Sequence, residues 1–92
     1  MRWSVGIEVE GGEVLTREQV VDLADAVAPA GGIATGIGTN RYGAQLIVEA
    51  GSREEAIEKA TTEFWRAVRK ARLRPGPVVR TEAVSEDEDA AR

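Results

Sequence analysis

Two stretches of helical period, each bracketed by segments that alternate, constrain this chain more than any other feature. In the first, Val20, Leu23, Ala24 and Val27 recur at i, i+3, i+4 and i+7, the buried stripe of one helix. Thr16 and Gln19 have the spacing of a capping box, and Leu15 and Val20 that of a hydrophobic staple. Pro29, Gly31 and Gly32 stop the helix. A second capping box, Ser52 and Glu55, opens a longer stripe of Ile57, Ala60, Phe64, Ala67, Val68 and Ala71. Glu54, Glu55 and Glu58 lie near its positive end, and Arg69, Lys70 and Arg72 near its negative end, where the macrodipole favours each sign. Pro75-Gly76-Pro77 ends it.

The brackets read as strands. From residue 2 to 10, Trp3, Val5, Ile7 and Val9 point one way and Ser4, Gly6, Glu8 and Glu10 the other, the period of a half-buried strand. Residues 33–39 form a weak strand thinned by Gly36 and Gly38, and Asn40-Arg41 is a turn. Residues 42–50 form a firmer strand, with Ala44, Leu46 and Val48 on one face and Gln45, Ile47 and Glu49 on the other. Residues 78–84 are the last strand. The order β-α-β-β-α-β resembles that of the ferredoxin-like plait, over a single domain at residues 1–84. The resemblance implies an α+β fold: a four-stranded antiparallel sheet in the order 4-1-3-2, strands two and four at its edges, both helices on one face. Many plait modules share this order, small-molecule-sensing regulatory domains among them, and the fold alone does not fix a function.

Composition narrows the chemistry. The 92 residues include no Cys and no His, which removes thiol chemistry, disulfides, Cys/His zinc sites and a histidine base. A chain of this size buries roughly 64% of its surface on folding, enough for one small core. No apolar run approaches the ~20 residues of a membrane span, and the N-terminus lacks a signal-peptide core, so a cytoplasmic protein without membrane contact is expected. The net charge of −4 is unevenly spread: residues 1–51 carry −4, residues 52–81 carry +4, and residues 82–92 carry −4. Residues 85–92 read as an acidic, disordered tail.

Four groups of residues bear on function. The run from Gly36 to Arg41 is glycine-rich, but it precedes a strand and lacks a following Gly-Lys-Ser/Thr, so it reads as an edge strand with its hairpin and not as a phosphate loop. Glu8, Glu10, Glu49 and Glu82 are candidates to meet on the open sheet face, where paired carboxylates do acid–base work or hold a cation. A wet sheet face offers them little concavity, so no catalytic or metal site is assigned. Arg66, Arg69, Lys70, Arg72, Arg74 and Arg80 form a basic run fit for anions. The outward positions of the expected central strands carry no aromatic platform, so nucleic acid is not expected as a partner. The open face, with Gly6, Ala34, Gly36 and Gly38 outward, is smooth enough for close approach of a partner.

Trp65 lies about 80° off the stripe direction set by Ile57, at the flank of the second helix, where an aromatic can anchor an interface. The last strand, with Val78, Val79 and Val84, is an edge that needs cover. Two antiparallel copies would set Arg80 near Glu82 of the other chain. The sequence therefore leads to a non-enzymatic protein-interaction or regulatory module without cofactor, a homodimer through Trp65, Val78, Arg80, Glu82 and Val84, with the protein partner unnamed. The alternatives are a small-molecule or nucleotide-binding module, with ligand between protomers or near residues 36–42, and weak nucleic-acid contact through residues 66–80.

Overall fold

A computed structural model describes residues 1–36 and 40–86. The chain runs β1 (Arg2–Glu10), α1 (Arg17–Val27), a short 3-10 turn (Ala28–Ala30), β2 (Ile33–Thr35), β3 (Arg41–Glu49), α2 (Arg53–Lys70) and β4 (Val78–Ser85). This is an α+β fold with one four-stranded antiparallel sheet and two helices. The sheet order is β2-β3-β1-β4, which from the opposite edge reads β4-β1-β3-β2. Hydrogen-bonded neighbours flank β1 on both sides: Val5 lies opposite Leu46 of β3 and opposite Ala83 of β4.

The alternation in β1 places its odd-numbered side chains under the helices. Trp3, Val5, Ile7 and Val9 are buried and join Tyr42, Ala44 and Leu46 of β3 in a single core. From α1 come Val20, Leu23 and Val27, and from α2 come Ala60, Phe64, Ala67 and Val68. The α2 stripe is turned slightly from its expected direction: Ala56 is fully buried, whereas Ile57 and Ala71 are only partly so. α1 packs on the β2–β3 half of the sheet, while α2 reaches β1, β3 and β4. Phe64 is fully buried and stacks on Tyr42 at 6.2 Å between ring centroids.

Caps and loops fix the ends. At α1 the full capping box forms: the Thr16 hydroxyl accepts from the Gln19 N–H, and the Thr16 N–H donates to the Gln19 side chain. At α2 the Ser52 hydroxyl accepts from the Glu55 N–H, but the Glu55 carboxylate turns to the Lys59 ammonium at 3.0 Å. That hydrogen bond and the ammonium's charge hold Glu55 below the usual carboxylate range. The loop into β4 docks on the end of β1, where the Glu10 N–H donates to the Pro77 carbonyl. Gly76 permits this approach, since a methyl there would run into the Glu10 carbonyl.

Three expectations are corrected. β2 is Ile33–Thr35, shorter than residues 33–39, and residues 37–39 lie outside the described residues. Its parity is also the reverse of the expectation: Ala34 pairs with inward-facing Ala44 and packs on the core, so Ile33 and Thr35 take the open face. The acidic tail was expected from residue 85, yet Ser85 belongs to β4, pairs with Trp3 and is buried. Glu86 of that tail is exposed, and residues 87–92 lie outside the described residues. Among the described residues no helix is long and apolar enough to cross a membrane.

Two outcomes follow for stability. Phe64→Ala is expected to lower it by about 3–5 kcal/mol, a large share of an ordinary domain's total, read as the shift of a denaturation midpoint. Burial penalises the Tyr42 phenolate and pushes its pKa above the ordinary 10.0. The neutral phenol is the form the fold favours, so its contribution is whole below the unfolded pKa and is lost as pH rises through the folded one. The chain has one tyrosine, so its tyrosinate absorbance reports this directly. The folded protein should titrate above the unfolded chain, and Tyr42→Phe should reduce the alkaline loss of stability.

Candidate functional site: the β4 edge and the open sheet face

Side chains of a strand alternate above and below the sheet, so what a sheet edge itself offers is backbone. Two bonds at the end of β1 set the direction of each amide. The Glu10 N–H reaches Pro77 on the β4 side, and the Gly11 N–H reaches Asn40 on the β3 side. Successive residues of an antiparallel strand turn their N–H and C=O groups to opposite sides. Even-numbered residues of β1 therefore face β4. Their opposites Arg80, Glu82 and Val84 face β1 in turn, so the N–H and C=O groups of Thr81 and Ala83 point away from the sheet.

The register slips once in this pairing. Glu8 lies opposite Arg80 but Val9 lies opposite Val78, which leaves Val79 as a bulge. Val78 and Val79 are 45% and 41% exposed. Val84 stands on the open face beside Ser4, with Arg80 and Glu82 on the same face. The Arg80 guanidinium donates to the Glu82 carboxylate at 2.6 Å along the strand.

Trp65 sits on the flank of α2 that faces away from α1. The opposite flank is marked by Lys70, which shares a recess with Asp22 and Asp25 of α1. Glu63, seven residues before Lys70, lies on that same flank, and Trp65 is about 200° further round the helix. Partly buried against the core, the indole meets Phe64 edge-on at 5.2 Å.

The open face holds a shallow recess of about 200 Å³ at Gly6, rimmed by Ser4, Glu8, Gln45, Arg80 and Glu82. A methyl on Gly6 would find its nearest neighbour at 4.0 Å, so packing within the chain does not require glycine there. The Gln45 amide donates to the Ser4 hydroxyl at 2.6 Å. Ser4, Thr35 and Gln45 were not singled out from the sequence as rim residues. The period of β1 and β3 places Ser4 and Gln45 on this face, while Thr35 needed a β2 register that the glycines conceal.

The four candidate carboxylates do not meet as a group: Glu8 and Glu82 share the rim of the recess at Gly6, and the other two stand apart. Glu49 lies opposite Arg2 at one end of β1, and Glu10 is at the other end, about 27 Å away at the rise of a strand. Each has its own partner: Glu8 meets Arg41 at 3.9 Å, Glu10 accepts from the Asn40 amide at 3.5 Å, Glu49 meets the terminal amine at 3.4 Å, and Glu82 meets Arg80. The basic run is likewise divided. Arg66 bridges to Glu63, Arg74 to Glu13 and Arg80 to Glu82. Arg69, Lys70 and Arg72 are exposed at the end of α2, as dipole compensation requires.

No family model matches the chain, and no curated protein matches it.

Arg72 has a structural role that its charge concealed. Its φ of 58° is left-handed, and the Leu73 N–H returns to the Val68 carbonyl at 3.0 Å, the helix-ending geometry usually given to glycine. The left-handed backbone costs a side-chain-bearing residue about 1–2 kcal/mol, against about 0.5–1 kcal/mol for the added freedom of glycine when unfolded. Arg72→Gly is therefore expected to stabilise the domain by up to about 1 kcal/mol in chemical denaturation.

Proposed function

We propose that this chain is a non-enzymatic protein-interaction or regulatory module, built on a ferredoxin-like plait and working as a homodimer through the β4 edge. The plait reading is supported by the strand order counted from β4 and by two helices that pack on each other and on the sheet. The observation that carries the homodimer is the outward set of N–H and C=O groups at Thr81 and Ala83, on a terminal strand with exposed valines beside it. Such an edge is a template for another strand. A second copy suits this edge in charge, because Arg80 and Glu82 alternate in sign on one face.

A second reading has one observation in its favour. The recess at Gly6 leaves space on the open face that the fold itself does not use. A small polar ligand there would meet Ser4, Gln45 and the Arg80–Glu82 pair. Broad anion binding is less well supported, since Arg66, Arg74 and Arg80 already hold carboxylates.

Light scattering tests the edge directly. The wild type is expected to be dimeric at about 100 μM, within reach of a small interface. Thr81→Pro should return it to a monomer with the fold intact, because the N–H it removes points outward and edge strands accept proline there. Gly6→Val should leave the dimer unchanged. A monomeric wild type at that concentration overturns the homodimer. A dimer that survives Thr81→Pro but not Gly6→Val moves the interface to the open face.

A further inference from the structure

We infer that the two copies join about a two-fold axis through Thr81, perpendicular to the sheet, with Arg80 of each set against Glu82 of the partner subunit and the Trp65 flanks of α2 turned towards each other. This rests on the homodimer reading above and fixes its register. Residues directly opposite in an antiparallel pair share one face of the sheet. A symmetric pair of identical strands must therefore centre on a residue and not between two, and the choice is short. An axis at Glu82 would oppose it to its own copy, and one at Arg80 would do the same with positive charge; both are disfavoured by like charges.

Thr81 and Ala83 remain. An axis at Ala83 sets Glu82 opposite Val84, and Arg80 opposite Glu86 beyond the end of the strand. An axis at Thr81 sets Arg80 opposite Glu82 twice, on either side of the centre. The pair within each chain already lies along the strand with its charges alternating. An antiparallel copy reads that alternation in reverse, so each positive group meets a negative one, and the two pairs become a square of four charges on the open face. The outward N–H and C=O groups of Thr81 then bond their counterparts across the axis. Beyond Arg80 the Val79 bulge bends the strand, which confines regular pairing to the segment around the centre.

The helix layer agrees. α2 reaches β4, and its Trp65 flank faces away from α1. With the axis perpendicular to the sheet, both helix layers lie on the same side of one eight-stranded sheet. The α1-free side of α2 then looks along the sheet towards α2 of the partner subunit, across the two β4 strands. Trp65 stands on that side, a large aromatic of the kind that anchors an interface.

The chain has no cysteine, so a single substitution places one thiol per copy. At a hydrogen-bonded antiparallel position the two Cα atoms are about 5.5 Å apart, within the range a disulfide spans. Thr81→Cys is expected to give mostly covalent dimer on mild oxidation. Ala83→Cys should give little, because an axis at Thr81 places Val79 opposite it. Arg80→Glu should weaken the dimer about tenfold, and adding Glu82→Arg should restore it. Trp65→Ala should weaken the dimer beyond the loss of monomer stability that removing its contact with Phe64 brings. Cross-linking at Ala83→Cys in place of Thr81→Cys, or a dimer indifferent to Arg80→Glu, overturns the register while a dimeric wild type keeps the reading beneath it. A wild type monomeric in light scattering removes both.

Discussion

β1 has hydrogen-bonding neighbours on both sides, and its alternation acts on side chains and backbone together. Its odd-numbered side chains enter the core, and its odd-numbered amides turn to β3. Its even-numbered side chains stand on the open face, and its even-numbered amides turn to β4. A shift of one residue would expose Trp3, Val5, Ile7 and Val9 together, so the register is held by the full burial energy of that row. The orientation of every amide on β4 follows from it. The outward groups at Thr81 and Ala83 are thus a consequence of the core, at one remove.

The helix layer is tied to β3 and β1 through aromatic contacts. Phe64 covers the sheet, stacks on Tyr42 and holds Trp65 edge-on. The Tyr42 hydroxyl donates to the Arg74 carbonyl at 2.6 Å, which fastens the chain after α2 to the underside of the core. Leu73, buried beside it, completes the helix end that Arg72 begins. At the other end the Trp3 indole donates to the Ala50 carbonyl at 3.1 Å, with the Arg53 guanidinium 5.8 Å from its ring. The two ends of α2 are therefore fixed by β-strand side chains, and the direction of the Trp65 flank is fixed with them.

The sequence was most legible where a period ran long. The alternation in β1 and Val20, Leu23 and Val27 of the α1 stripe lie where the residue pattern puts them, because each repeats a local rule over two or more turns or pleats, and the Thr16 cap forms as its spacing predicts; Ala24 of the expected stripe is only partly buried, and Ala26 packs on the core instead. Legibility fell where few residues carried the pattern. β2 has three residues beside glycines, so neither propensity nor alternation fixes its parity, and Ala34 was assigned to the wrong face. Ser85 was counted with the acidic residues that follow it, but pairing with Trp3 buries it. The open-face carboxylates share a face by parity alone; where Glu49 and Glu82 fall against Glu8 and Glu10 depends on the register of β3 and β4, which composition does not reveal. The basic run is contiguous in sequence and dispersed in space, since Arg66, Arg74 and Arg80 stand on three different elements or loops. Arg72 was read as charge when its backbone is what matters, a distinction visible only in φ.

Edge strands invite open-ended association, and the two edges of this sheet differ in a way that limits it. β4 has eight residues, with a bulge near its start. β2 has three, with Ile33 68% exposed on the open face. A contact between β4 of one copy and β2 of the next would be heterologous and would not close, the geometry that builds fibres. Among the described residues it would have Ile33–Thr35 of β2 to pair with, beside a β3 that extends past it. Pairing of β4 with itself uses the longer edge on both sides and closes after two copies. In the proposed dimer β2 and the part of β3 that extends past it are left at each edge, and short edge strands are one of the means by which sheets stop growing. The bulge at Val79 and the brevity of β2 among the described residues thus act in the same direction, towards addition at the backbone around Thr81.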